Sequence, residues 1–177
     1  MSIPFLVANW KSQVTPTTVK PSANTLTGSP AWTNPGYAYD VASGNDLSTN
    51  ATSTITGTTS FTSTMVVRTV SALTSQPYSS KKLYINWSID TYTDPNGDNP
   101  TFAISISKNS GTLFTNYTGA DGPFGVSAVA SGQIAYELGS SQDETLVQVK
   151  AAIILISAGP LTETITASIW DCWIVGT

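Results

Sequence analysis

The sequence predicts an all-β domain: an antiparallel two-sheet β-sandwich, jelly-roll-like, with an extended N-terminal arm. Three observations predict it. From Ala51 onward, β-branched and aromatic residues recur with period two between clusters of Gly, Pro, Asn and Ser. No stretch shows sustained helical spacing with start and stop signals. The 177 residues, 40% hydrophobic, suffice for one core of ordinary size, whereas two domains would each be small and marginal. About seven to nine short strands with frequent turns and no internal repeat then imply a two-sheet sandwich or jelly roll.

Residues 1–30 read as the arm. Pro4, Pro16, Pro21 and Pro30 stand among Thr, Ser and Val, which forbids helix and favours an extended path. The apolar tip, with Ile3, Phe5, Leu6 and Trp10, needs covering, by the domain's own sheet edge or by a neighbouring subunit. Residues 31–177 form the sandwich. The clearest strand is Leu83 to Tyr92, with Leu83, Ile85, Trp87 and Ile89 on one face and Tyr84, Asn86, Ser88 and Asp90 on the other. Phe102, Ile104 and Ile106 repeat the pattern, and Asp94 to Pro100, containing Asn96-Gly97, predicts a hairpin between these two strands. A second hairpin is expected at Asn109-Ser110-Gly111. The longest candidates, Thr145 to Ser157 and Leu161 to Val175, are joined across Ala158-Gly159-Pro160 and are expected to be neighbouring central strands. Ala151 to Ile156 is apolar on both faces, which suits burial against an arm or another subunit. In the last strand, Asp171 is the odd member of the face that holds Ile165, Ala167, Ile169 and Trp173.

Composition narrows the function. Charged residues make up 10% of the chain, against roughly a quarter in typical globular proteins, so hydroxyl and amide groups supply the wet surface. A net charge of −4, from 7 basic and 11 acidic residues, offers no stripe to neutralise a phosphate backbone, and nucleic acid is not an expected partner. There is no histidine, which removes the commonest general base and neutral metal ligand; with no Ser-x-x-Lys helix pattern either, the expectation is a protein that is not an enzyme. Cys172, alone in an apolar run, is expected to be a buried, inert thiol. No apolar run approaches the ~20 residues of a membrane span and the N-terminus lacks a secretory pattern, so no membrane is expected as a partner.

Two places carry recognisable binding chemistry. Asp94, Asn96 and Asp98 alternate as the oxygen ligands of a short calcium loop do, with Gly97 at the sharp turn, yet Ser105 stands where such a loop would place its bidentate Glu; the same residues also make a turn without any ion. No other cofactor is indicated. Tyr84 and Tyr92 fall on the wet face of their strand beside Asn86, Ser88 and Asp90, an arrangement suited to a partner or to stacking on a sugar. A second acidic, glycine-containing loop, Asp40 to Asp46, completes a metal site only where folding brings carboxylates together; the adjacent Asp143-Glu144 read as a solvated turn, since glycoside hydrolysis needs two carboxylates facing each other across the bond.

The segment Ala31-Trp32-Thr33-Asn34-Pro35-Gly36-Tyr37-Ala38-Tyr39-Asp40, followed by Asp46-Leu47-Ser48-Thr49-Asn50-Ala51-Thr52, resembles the opening of a jelly-roll module of phage virion and phage-like bacterial proteins. That opening reads Trp-x-Asn-Pro, an Ala beside an aromatic or Asp, and an acidic Ser/Thr-rich loop leading into a strand. Phe124-Gly125-Val126 and the closing strand Ile165 to Val175 look like the module's end. The resemblance spans residues 31–177, leaves out the arm, and departs from the module in the middle, where this chain has hairpins instead of a longer glycine- and aromatic-rich stretch. It implies a virion structural protein, a capsid decoration, head-fibre or tail component, whose partners are copies of itself and other virion proteins. The rival reading is a carbohydrate-binding module or lectin, with Tyr84, Tyr92 and the Asp94–Asp98 loop around a glycan, with or without calcium.

Overall fold

The computed structural model describes residues 17–19, 21, 23–39, 47–68, 80–107, 115–116, 126–138, 147–155 and 159–177. Ten strands run through them: β1 (Thr17–Val19), β2 (Ala23–Gly28), β3 (Ala51–Gly57), β4 (Phe61–Arg68), β5 (Lys81–Thr93), β6 (Thr101–Ser107), β7 (Thr115–Asn116), β8 (Ala130–Glu137), β9 (Gln148–Leu155) and β10 (Glu163–Gly176), with one 3-10 turn at Pro35–Ala38. They form two five-stranded antiparallel sheets. Sheet A has the order β1-β10-β5-β8, with β3 alongside β1 on the same flank of β10, and sheet B has the order β2-β4-β9-β6-β7. Setting aside β1 and β2, the eight later strands lie first-eighth-third-sixth in one sheet and second-seventh-fourth-fifth in the other. This is jelly-roll order.

The alternation seen in the sequence is the alternation of burial. Leu83, Ile85, Trp87 and Ile89 of β5 meet Phe102, Ile104 and Ile106 of β6 and Val149, Ala151, Ile153 and Leu155 of β9 in one core between the sheets. Trp87 packs on Phe102 with ring centroids 6.1 Å apart, and Trp32 also packs on Phe102, at 6.4 Å. Two serines interrupt this apolar interior. Ser63 donates to the Pro30 carbonyl at 2.6 Å and its hydroxyl lies 3.1 Å from that of Ser53, so that polar groups on facing strands satisfy each other.

The strand partners differ from the sequence expectation in two places, for one reason. The Asp94–Pro100 segment is no hairpin: β5 lies in sheet A and β6 in sheet B. A two-residue Asn-Gly hairpin needs positive φ at both residues, and here the positive angles fall at Gly97 (78°) and Asn99 (54°). The loop carries the chain across the sandwich. β9 and β10 are likewise not neighbours but the central strands of opposite sheets. In both cases the apolar faces of consecutive strands pack face to face rather than sharing a ladder. The pairing expected around Asn109–Gly111 is present, with Ser105 opposite Asn116 and Ile106 opposite Thr115.

Two β-bulges reshape sheet A. Between β10 and β5, Ala167 pairs with Ile89 and Thr166 with Thr91, which leaves Asp90 as an extra residue of β5. Ile169 pairs with Trp87 and Asp171 with Asn86, which leaves Trp170 as an extra residue of β10. Each bulge reverses the alternation beyond it. Asp171 and Trp173 therefore share the outer face with their partners Asn86 and Tyr84, while Cys172 and Ile174 enter the core. The Cys172 thiol is fully buried. The bulge at Asp90 turns Tyr92 inward, where it packs against the core opposite Ile165, and this corrects its placement on the wet face.

Of the segment read as an arm, Thr17–Val19 pairs with the C-terminal end of β10 and Ala23–Gly28 pairs with β4. The tip residues Ile3, Phe5, Leu6 and Trp10, and the loops 40–46 and 143–144, lie outside the described residues.

A candidate binding cleft on the outer face of sheet A

The two extra residues both line a cleft of about 600 Å³ on the outer face of sheet A, together with Leu47, Asn86, Trp87, Ser88, Ser131, Gly132 and Gln133. That volume lies within the ~300–1,000 Å³ typical of ligand sites. A bulge takes a side chain out of the regular alternation and aims it where a flat strand would not. Here one bulge presents an indole and the other a carboxylate.

A continuous chain of hydrogen bonds holds both. Trp170 Nε1 donates to Ser88 Oγ at 2.8 Å, and Ser88 Oγ donates to Asp90 Oδ1 at 2.7 Å. Ser168 Oγ donates to Asp90 Oδ2, also at 2.7 Å, and lies 3.2 Å from Thr52 Oγ1, which donates to the Ala167 carbonyl. On the neighbouring strand, Gln133 Nε2 donates to Asn86 Oδ1 at 2.9 Å. Ser88, Ser168 and Asn86 are buried while Asp90, Ser131 and Gln133 are exposed. The buried members orient the exposed ones, and the half-buried indole ring is locked before any ligand arrives, so binding forfeits little side-chain entropy there.

The floor has an unusual feature. Trp87 belongs to the core, but the edge of its indole carrying the N–H lies against Gly132, where a Cβ would stand 3.3 Å from Cζ2 and 3.4 Å from Nε1. Trp87 Nε1 is buried and has no hydrogen-bond partner among the described residues.

Asp94 spends its carboxylate on the loop, and Asn96 spends its side chain on the start of β10. Asp94 Oδ1 accepts from the Asp98 N–H (2.8 Å), and Oδ2 accepts from the Asn99 N–H (3.1 Å) and from the Tyr92 hydroxyl (3.3 Å). Desolvation pushes the Asp94 carboxyl up, but the N–H groups of Asp98, Asn99 and Gly97, with Tyr92, outweigh it and hold the pKa below its ordinary value. Asn96 Nδ2 donates to the Leu161 carbonyl at 2.7 Å and to Glu163 Oε1 at 3.1 Å. Among the described residues no three acidic or sulfur ligands converge as a metal site.

Tyr84 is on the outer face as expected, stacked on Trp173 with centroids 5.1 Å apart and planes at 16°. It lines a smaller depression of about 250 Å³ with Ser80, Lys82, Val175 and Thr177, separate from the cleft. The structure thus keeps Asn86, Ser88 and Asp90 together, as the alternation predicts, and replaces Tyr84 and Tyr92 by Trp170 as their aromatic companion. Trp170, Gln133 and Leu47 were not singled out from sequence; the signal that could have found Trp170 is Asp171, whose misfit on an apolar face marks a slipped phase.

No family model matches the chain, and no curated protein matches it. Among solved structures it is similar to the enzymatically active domain of tailspike protein 4 of bacteriophage CBA120, at 13% identity and a TM-score of 0.45, over 92% of this chain. The chain spans 19% of the length of that neighbour.

Proposed function

We propose that this chain is a non-enzymatic surface component of a phage particle, a capsid decoration, head-fibre or tail protein, acting through contacts with copies of itself and with other virion proteins. The observation that carries the reading is the behaviour of the segment that resembles phage jelly-roll modules. Trp32 is buried against Phe102, Thr33 pairs with Thr52 at the mouth of β3, Asn34 takes a left-handed conformation, and Pro35 opens the 3-10 turn that seats Ala38 in the core. The signature residues are thus the bracket that closes one end of the sandwich, a role that a module's opening motif is fitted to fill. Asp90 is the one carboxylate among the described residues lining the cleft, whereas glycoside hydrolysis uses a facing pair; this favours contact over chemistry.

Light scattering on the full chain, with and without calcium, tests the reading. A stable trimer or larger assembly indifferent to calcium is expected, and deletion of residues 1–16, which leaves β1 and β2 in place, is expected to dissociate it without unfolding the domain. A full-length monomer would overturn the subunit-contact reading.

A second reading, a carbohydrate-binding module, is favoured by the cleft: a locked indole flanked by carboxamide, hydroxyl and carboxylate groups is suited to a sugar face and its hydroxyls. Its test is a glycan array, on which silence with and without calcium would sink it.

A further inference from the structure

We infer that the cleft on sheet A reads an amino sugar, a pyranose whose free ammonium group is taken by Asp90 beside the Trp170 indole; the inference rests on the glycan reading of that cleft. The direction of the hydrogen bonds carries it. An indole N–H can only donate, so Ser88 Oγ accepts from Trp170 Nε1 and directs its own proton to Asp90 Oδ1. Ser168 directs its proton to Asp90 Oδ2. Both serines are buried while Asp90 is exposed, so two fixed donors hold a carboxylate at the open side of the cleft. Each Asp90 oxygen accepts one of these protons and keeps a lone pair for a ligand.

The same directions leave the cleft little to donate. The Trp170, Ser88 and Ser168 protons are committed within the chain, and Gln133 Nε2 gives one of its own to Asn86 Oδ1. Ser131 and the remaining amide protons are the donors left in the described lining, and no cationic residue stands in it. Acidic sugars therefore meet like charge. A neutral hydroxyl finds acceptors here but few donors in return, whereas an ammonium has three donors and no lone pair to satisfy. Its charge is opposite to that of Asp90, which makes the hydrogen bond charge-assisted. Trp170 is bonded to the same Ser88 oxygen as Asp90, so one pyranose touches both, its ring carbons on the indole and its ammonium on the carboxylate.

Calorimetric titration with chitotriose and with cellotriose, which differ in ammonium against hydroxyl at each ring, tests this in dilute, mildly acidic buffer where the amines are protonated. The amino trisaccharide is expected to bind at least about fivefold more tightly, and the preference is expected to shrink in about 1 M salt, where charges are screened beyond ~3 Å. Triacetylchitotriose, whose nitrogens are acylated and neutral, is expected to show no such preference. Asp90→Asn is expected to bring chitotriose and cellotriose within about twofold; Ser168 can then turn its proton to Thr52 Oγ1, 3.2 Å away, and a cooperative melt checks the fold. Glu137→Gln removes one negative charge from the exposed side of β8, outside the cleft, and is expected to keep the preference. Trp170→Ala is expected to lose both sugars. Equal binding of chitotriose and cellotriose by the parent protein, a preference that survives Asp90→Asn, or one lost equally in Glu137→Gln, would overturn the amino-sugar inference and leave the glycan reading standing. Trilysine binding as tightly as chitotriose would also overturn it, by showing a bare cation site. No binding of any of the sugars, together with a silent glycan array, would overturn both.

Discussion

Glu163→Gln tests the electrostatics at the Asp94 end of the sandwich. Glu163 opens β10, is 2% exposed, and accepts from Asn96 through Oε1, while its Oε2 is buried without a hydrogen-bond partner among the described residues. Burial is the largest influence on its carboxyl and raises the pKa; the Asn96 hydrogen bond opposes this, and the charges of Asp98 and Asp94 push it further up. A raised carboxyl pKa means that the folded state holds the proton more tightly than the unfolded chain. The stability linked to that proton is fully present below the unfolded value of about 4.3 and is lost as pH rises through the higher folded value. Glutamine mimics the protonated group permanently, keeps the acceptor for Asn96 and puts an N–H in the place of the unpaired oxygen. An unsatisfied buried polar group costs about 1–3 kcal/mol, and because half of this carboxylate is already paired the lower end applies. A gain of ~1 kcal/mol corresponds to a melting temperature higher by about 2–4 °C for a domain of this size. Thermal melts followed by circular dichroism should show that gain near pH 7 and its disappearance near pH 4, where the parent protein is itself protonated. An equal gain at both pH values, or a loss near pH 7, would refute the reasoning. Calcium adds a second comparison: an ion held by Asp94, Asn96 and Asp98 neutralises the same charges, so it would raise the melting temperature of the parent protein more than that of the variant.

Two backbone predictions follow from the strand geometry. Gly28 ends β2 at φ +92°, and a Cβ there would run into the Thr62 carbonyl oxygen; Gly28→Ala should destabilise by more than the ~1–2 kcal/mol of left-handed strain alone, read as a lower denaturation midpoint. Deleting Trp170 removes the extra residue of a bulge, so Ile169 and Asp171 would then follow one another opposite Trp87 and Asn86 with the core phase of Cys172 and Ile174 unchanged. That deletion should leave a cooperatively folding domain whose cleft has lost the Trp170 indole, whereas deleting Ser168, outside a bulge, should throw the alternation out of phase and abolish cooperative melting; equal behaviour of the two deletions would contradict the assigned register.

Period-two alternation made the fold class and the inner residues of β5, β6 and β9 legible, because burial on one face is a property of each strand alone. It is silent about partners. Asn96-Gly97 carries the local chemistry of a hairpin, yet in a jelly roll the strand before a turn and the strand after it often belong to opposite sheets, and the core decides which arrangement wins. Hence β5 and β6, and again β9 and β10, are connected in the chain but separated by the core. The tyrosine misplacement has a different origin. Alternation counted through Asp90 puts Tyr92 outside, and one unpaired residue is enough to turn it in.

The same unpaired residues explain why a site arises on this face. A regular ladder between β5 and β10 would present an even row of small polar groups, as it does where Thr164 and Thr166 of β10 stand between Thr93 and Thr91 on one side and Thr56 and Thr54 on the other. Such a surface has no concavity and nothing to distinguish one ligand from another. Inserting Asp90 on one strand and Trp170 on the other, a few residues apart, breaks the row and sets a carboxylate and an indole over the glycine of β8. A bulge disrupts the ladder locally and is retained at a cost in pairing; two of them at one crossing, tied together by Ser88 and Ser168, are what a purely architectural sheet has no need of. The departures from alternation in sheet A, and not the tyrosines that alternation seemed to expose, therefore locate the face on which the proposed carbohydrate-binding reading rests.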